Sequence, residues 1–471
     1  MIKVCLRRDT VNCVNDATDA RLCAFAAEAI DKTYCADYLK GARFLVGSGA
    51  AGKLAESLAA ECVSREIKVR LYFADSSVES AEFARRTGIK AEDLADFQPD
   101  GGVVFDCLSP DKYVKKVQKS FVSAAKKVNS ANGTVISVTV PFGLNPDSGE
   151  PADVAVEADV TLCYAAATPG LFLGKGLNYS GKTVAIGDAD VKILGFVTDE
   201  NKAALPPRKR ATHKGDYGKI AVIGGSDTMP GAPLMAYQSA VAASLSGAGL
   251  VRLCVGEDEK CAYKSRVLEQ TLFFLPEKDG YIRFDKQKLS EIMAFADVIA
   301  IGPGMGNNPF LPEIIGFLCR NYAKTLVLDA DALNAVAKNP SVTSGHVCRL
   351  ILTPHVGEFA RLAPEIKPFD VKKIKAFARR TDCVLALKSA CTIITDGRSV
   401  FFNPSGTPAL AKGGSGDVLC GVIAALAAVS DPLDAAVKGC YRFGAAAEKA
   451  VSISDEAALL ARDVIQSIKN N

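Results

Sequence analysis

A chain of 471 residues, 49% hydrophobic and 23% charged, has ample material for a buried core, and its length points to about two to four domains. Its 56 basic and 53 acidic residues leave a net charge of +3, which gives no electrostatic argument for nucleic acid or an anionic membrane as partner. Fifteen scattered cysteines without a Cys-x-x-Cys pair, and only three histidines, speak against a zinc site and suit free thiols in a reducing cytoplasm.

The chain opens with Arg7, Arg8 and Asp9 where a secretory leader needs an apolar run, and no uncharged stretch is long enough for a transmembrane helix. Residues 17–41 have few breakers and predict a helix. Ala42–Val46 predicts a strand ending in the Gly47-Ser-Gly49 turn, and Ala50 to Val63 the helix that follows. Strands are expected at 68–73, 102–106 and 133–140, with helical segments between them such as 110–130. Strand–helix alternation argues for a parallel sheet in an α/β layer fold, whose ligands sit at the carboxyl ends of strands. The Gly47–Gly49 turn is therefore a site candidate, although a lone Gly-x-Gly also serves as a plain strand-to-helix turn.

The alternation breaks at 198–212, a polar stretch holding Pro206-Pro207 and Arg208-Lys-Arg210, which reads as a domain boundary dividing 1–205 from 206–471. Beyond it, strands are expected at 219–224, 250–255, 297–301, 325–331, 350–353 and 383–388, with a helix from Pro233 to Leu245. Five of these strands end in Gly, Asp, His or Lys, where a doubly wound sheet places its chemistry. Asp329 and Asp331, two residues apart, share one side of an extended segment and could share a proton or hold Mg²⁺; Asp331 could equally cap the next helix. His355 follows a strand and a proline, a position open to a ligand contact or a surface role. Lys388 could meet a phosphate as a point charge or contribute only its backbone. Glu358 reads as a first-turn carboxylate.

The stretch Gly413-Gly-Ser-Gly-Asp417 organises this half. Leu419, Val422, Ile423 and Leu426 form one apolar helical face behind it, so a glycine loop feeds a helix N-terminus. Unpaired amides and the positive dipole end suit a phosphate or a developing anion. Asp417 is either an ordinary acidic first-turn residue or a base that takes the proton of a hydroxyl about to be phosphorylated.

Taken together, Lys214-Gly-Asp-Tyr-Gly218, Gly224-Gly-Ser226, Gly231-Ala232, Gly247-Ala-Gly249, Gly302-Pro-Gly-Met-Gly306, Asp329-Ala-Asp-Ala-Leu333, Leu352-Thr-Pro-His-Val-Gly-Glu358 and the GGSGD loop resemble, in order, the ADP- or ATP-dependent NAD(P)H-hydrate dehydratases of the ribokinase-like superfamily. The resemblance implies a three-layer α/β/α domain. It implies a hydrated nicotinamide substrate (NADHX or NADPHX) near Ala232, Gly306, His355 and Asp417. It also implies ADP or ATP, with Mg²⁺, on Lys388, Ser389, Ala390, Cys391 and Thr392 and on Gly413, Gly414, Ser415 and Gly416, with no protein-held metal site. Asp417 would be the catalytic base, and the enzyme a homo-oligomer. A ribokinase-like kinase acting on a vitamin-precursor alcohol is the alternative enzyme, and a non-catalytic nucleotide-binding scaffold the alternative of another class.

Residues 20–200 resemble the NAD(P)H-hydrate epimerase domain, a Rossmann-like three-layer fold, with its ligands altered. The family's asparagine positions are Ala50 and Ala51 in a loop ending at Lys53. Thr139 stands for its aspartate, Phe142 for the serine that helps hold potassium, and Thr168 for its lysine; Asp106 is kept. The resemblance therefore implies an epimerase fold that has lost its base, its potassium site and its activity, and that serves packing or assembly.

Overall fold

The computed structural model of the chain describes residues 1–73, 78–227, 231–258, 260–264 and 266–468. Its backbone divides into two compact units, Met1–Val197 and Thr198–Asn471, so the division falls ahead of the Pro206-Pro207 pair. No helix among the described residues is long and apolar enough to cross a membrane.

The first unit is built on seven parallel strands in the order Ala91–Asp93, Val69–Phe73, Ala42–Val46, Val103–Cys107, Val135–Val138, Val160–Tyr164 and Lys182–Ile186. The central strands are buried on both faces and are mostly apolar, as parallel strands covered by helices are, with Arg43, Asp106 and Ser137 the buried polar exceptions. One face packs helices Asp19–Thr33 and Ala50–Ser64 through Phe25, Leu54 and Leu58; the other packs Lys119–Asn129 through Ala124, Ala125 and Val128. Strand order reverses between Ala42–Val46 and Val103–Cys107, which makes the crevice between their carboxyl ends the topological switch point.

Two expected helices are shorter than their composition suggests. The 17–41 segment is helical only over Asp19–Thr33, where the Thr33 hydroxyl turns back on the Ala29 carbonyl at 2.7 Å; a short 3₁₀ turn, Ala36–Lys40, follows. Residues 110–118 are irregular, because Pro110 has no N–H to offer and Asp111 is drawn to the amide of Ala50 at 2.9 Å.

The main sheet of the second unit has, among the described residues, nine strands in the order Val400–Asn403, Thr392–Thr395, Cys383–Leu387, Arg349–Leu352, Thr325–Leu328, Val298–Ile301, Lys219–Ile223, Leu250–Gly256 and Thr271–Leu275; a small separate hairpin pairs Glu277–Lys278 with Tyr281–Ile282. The seven from Cys383–Leu387 onward run parallel, and the first two are antiparallel. Here the order reverses between Lys219–Ile223 and Val298–Ile301. Helix Ser415–Ala427, apolar on every side, lies against this centre and against helix Ala232–Leu245, and is buried along nearly its whole length.

Candidate active site

Gly414 takes φ 89°, a left-handed conformation open to glycine, and this turn aims the start of helix Ser415–Ala427 at the carboxyl edge of the sheet. The first amides of such a helix lack intrahelical acceptors. Asp417 sits in that first turn, 7% exposed. Burial and the Asp329 carboxylate raise its pKa to about 7, against a smaller opposing pull from Lys388. A carboxylate poised near neutrality is suited to general-base work.

Asp329 and Lys388 come from the ends of strands Thr325–Leu328 and Cys383–Leu387, which flank Arg349–Leu352. Lys388 Nζ donates to Asp329 Oδ1 at 2.7 Å, and the Asp329 side chain is only 2% exposed. Burial disfavours the Lys388 ammonium, but Asp329 and Glu358 outweigh it and its pKa is raised. The pair faces the glycine loop: a methyl placed on Gly416 would lie 3.0 Å from Lys388 Nζ and 3.8 Å from Asp329 Oδ2. Lys388 thus enters the site as a charge, and its backbone N–H is spent on the Pro354 carbonyl at 2.8 Å.

The expectation that Asp329 and Asp331 lie on one side of an extended segment is corrected. The strand stops at Leu328 and a helix, Ala330–Lys338, begins at once. Asp329 holds the N-cap position yet makes no side-chain cap, because Lys388 has claimed it. Asp331, in the first turn, accepts the Gly306 amide at 2.7 Å instead of capping the helix. Gly302 makes this possible: at φ 127° its loop approaches so closely that a methyl would stand 1.9 Å from the Asp329 carbonyl.

His355 starts helix Val356–Leu362. Its Nδ1 accepts the amides of Gly357 and Glu358 at 3.0 and 3.2 Å, and Glu358 Oε2 accepts the amide of His355 at 2.8 Å. Burial, Lys388 and Arg361 lower the imidazole pKa, so the ring is neutral at pH 7 with its proton on Nε2, the half-exposed edge. Beside Gly306 and this helix opens a cleft of about 540 Å³ bordered by Asn307, Asn334, Lys338 and Arg361. Asn334 donates to Asp331 Oδ1 and accepts from Arg361 Nε, so the cleft's polar wall continues from Gly306. Sequence reading missed Asn334 and Arg361; the only trace of them is the i, i+3 spacing of Asp331 and Asn334 on one helix face.

In the remaining nucleotide candidates, Cys391 and Thr392 turn their side chains inward and the Ser389 hydroxyl is spent on the Cys391 carbonyl at 2.5 Å. The backbone is what this segment presents. Ala232 is the first residue of helix Ala232–Leu245, at the switch-point side of the unit.

The altered loop of the first unit contrasts with this. Ala50 and Ala51 are fully buried. The Lys53 ammonium is bound to the carbonyls of Val14, Asn15 and Ala17 at 3.0–3.4 Å, closing the end of helix Arg7–Asn15. Asp106 is fully buried; burial raises its pKa, and its oxygens accept from Ser137 Oγ at 2.7 Å and from the amides of Phe142 and Leu108 at 2.8 and 3.2 Å. Phe142 stacks on Phe121. Thr139 carries φ 69°, an outlier for a β-branched residue.

Comparison with known proteins places the two units. Residues 220–470 match the family model described as NAD(P)H-hydrate dehydratase, and residues 20–170 that described as YjeF-related protein N-terminus. The second unit's sheet is shared with a ribokinase-like superfamily protein of Enterococcus faecalis V583, at TM-score 0.52 and 22% identity over 60% of this chain and 97% of that one. A Streptococcus mutans protein of hypothetical function gives TM-score 0.51 and 27% identity over 58% and 97%. An α/β domain of the fold these structures share, with a glycine loop and an adjacent carboxylate, is thus the class. Bifunctional NAD(P)H-hydrate repair enzymes align along most of the chain. That of Escherichia coli K12 is 31% identical over 78% of this chain and 71% of its own length, and that of Thermofilum pendens 31% identical over 83% and 76%. The chain spans about two thirds to three quarters of the length of the curated relatives it matches. It belongs to the NAD(P)H-hydrate dehydratase family, in the fused form carried by these repair enzymes.

Proposed function

We propose that this chain repairs nicotinamide cofactors by dehydrating (S)-NAD(P)H hydrate at the expense of ADP or ATP. The observation that carries the site assignment is the Asp417 carboxylate, buried on the GGSGD loop, held near neutrality, and faced by the Lys388–Asp329 pair. Hydroxide is a poor leaving group, so the substrate hydroxyl must be activated. Asp417 takes the hydroxyl proton as the oxygen attacks the terminal phosphorus of the nucleotide, and the bond to the departing nucleotide breaks. The helix N-terminus and Lys388 stabilise the charge on the transferred group. Phosphate then leaves with the former hydroxyl oxygen, and loss of a ring proton restores the double bond of NAD(P)H.

Among the described residues no three His, Cys, Asp or Glu side chains are placed to enclose a metal ion. Mg²⁺ would accompany the nucleotide phosphates and supply charge neutralisation there; Asp329 Oδ2, which faces Gly416, is the carboxylate oxygen at hand, since Asp331 spends both of its oxygens on Gly306 and Asn334. The fifteen free cysteines support a cytoplasmic setting.

In the first unit Asp106 and Lys53 are committed to the fold, and Ala50, Thr139 and Phe142 offer neither a base nor potassium ligands. This supports loss of epimerase activity. The kinase reading is less favoured and is separated by product: a kinase accumulates a phosphoester, a dehydratase releases phosphate. Near-ultraviolet absorbance of NAD(P)H, followed with purified hydrate and either nucleotide, tests the assignment; stable phosphoester without recovered NAD(P)H would overturn it.

A further inference from the structure

Two arginines are buried among the described residues of the first unit, and they differ in how many of their N–H groups are met: Arg43 leaves only Nε without a partner, Arg7 both Nε and Nη1. Arg43 places Nη1 on the Gly41 carbonyl at 2.7 Å and Nη2 on that of Lys40 at 3.2 Å, and it pairs with Asp100. Arg7, 5% exposed, has Nη2 on the Pro110 carbonyl at 3.0 Å, while Nε and Nη1 meet no partner among the described residues. Asp111 and Asp147 lie within electrostatic reach of it, but the hydrogen bonds they accept come from elsewhere: Asp111 Oδ1 accepts the Ala50 amide and Asp147 Oδ1 the Arg7 amide. A buried guanidinium that leaves two of its nitrogens without an acceptor is costly for a fold to keep.

Two further unsatisfied groups lie along the same sheet edge. The hydroxyls of Thr139 and Thr168, both buried, find no partner among the described residues. They follow the adjacent strands Val135–Val138 and Val160–Tyr164. Cys163, whose thiol lies 3.5 Å from the Thr139 carbonyl, is also within electrostatic reach of Arg7. Val4 bridges Ala167 and the Cys5 amide donates to the Ala167 carbonyl at 3.0 Å, which sets the Arg7 segment beside Thr168. Thr139 holds its position at positive φ, a strain that folds keep mainly where a site requires it. Three elements thus bring donors with nothing to donate to, one of them charged, to the carboxyl edge of a parallel sheet, where such folds bind ligands.

We propose that Arg7, Thr139 and Thr168 form a binding site for a tetrahedral oxyanion, either inorganic phosphate or the phosphate group of a small phosphoester. The site is separate from the dehydratase centre and does not rest on that assignment. It would make the first unit a ligand-binding domain instead of an epimerase.

Crystals of the full chain soaked in sodium selenate give the direct test. The expected result is an anomalous peak within hydrogen-bond distance of Arg7 Nε or Nη1. Peaks only elsewhere, or Arg7 found ion-paired to Asp111 or Asp147 with no peak beside it, overturn the proposal. In solution, radiolabelled sulfate is counted by equilibrium dialysis with ADP in excess. The wild type should bind one equivalent more than Arg7→Met, and Thr168→Val should bind it roughly tenfold more weakly, the loss of one good hydrogen bond. Dehydratase turnover should be unchanged in both variants. Equal stoichiometry and affinity in wild type and Thr168→Val would overturn the site even if Arg7→Met fails to fold. Displacement of the sulfate by glycerol phosphate at lower concentration than by inorganic phosphate identifies a phosphoester as the occupant; the reverse order identifies the free ion.

Discussion

The two units answer the same topological question in opposite ways. Each has a parallel sheet whose strand order reverses once, and each has a glycine turn feeding a helix: Gly49 at φ 79° before Ala50–Ser64, and Gly414 at φ 89° before Ser415–Ala427. In the second unit the groups around that turn keep their chemistry. Asp417 is poised near neutrality, and Lys388 and Asp329 face the loop. In the first unit the corresponding groups are consumed by the fold. Asp111 takes the Ala50 amide, Asp106 spends its oxygens on Ser137, Phe142 and Leu108, and Lys53 closes a neighbouring helix. The same architecture yields a reaction centre only where its polar groups are left free to meet a substrate.

Breaking that contrast should have its largest effect at Asp417. Asp417→Asn keeps the shape and removes the base, so kcat should fall by roughly 10²–10⁴-fold, with the melting temperature unchanged or raised. Lys388→Met leaves Asp329 as an uncompensated buried charge. Denaturant titration should show a loss of about 3–5 kcal/mol, with a raised KM for nucleotide in whatever folds. Asp106→Ala should act on stability alone. It strands the Ser137 hydroxyl and the Phe142 amide, costing about 1–3 kcal/mol for each buried donor, while dehydratase turnover per folded molecule stays at the wild-type value. A finer test is pH. Asp417 works as a base when deprotonated, so kcat/KM should rise with pH through about 7. Burial and Asp329 both raise that pKa; removing the negative neighbour in Asp329→Asn should move the rise to lower pH. A profile flat through neutrality would mean that another group is the base.

The sheet-and-helix plan and the glycine loops were legible because they depend on local pattern: apolar runs of strand length, and glycines where the chain must turn. The glycine loop and Asp417 were legible because they lie within one short motif. What could not be read is what long-range contacts decide. Asp329 and Lys388 are 59 positions apart, and only the sheet order brings their side chains to 2.7 Å. The two-residue spacing puts Asp331 on the same side as Asp329 only in extended chain; the helix starting at Ala330 cancels it. The 110–130 segment reads as helical by composition, but Asp111 is 61 positions from the amide that captures it. The burial of Arg7 with Nε and Nη1 unmet is equally invisible in the sequence, where Arg7, Arg8 and Asp9 look like a solvated cluster.

The account's central claim is one working reaction edge and one that is closed to epimerisation. It is tested most directly by supplying pure (S)-hydrate and pure (R)-hydrate in turn, with Mg²⁺ and ADP or ATP, under conditions that suppress spontaneous interconversion. Absorbance of NAD(P)H should recover with the S form alone. Recovery from the R form at a rate close to that from the S form would show that the first unit epimerises with the residues it has, and would contradict the account.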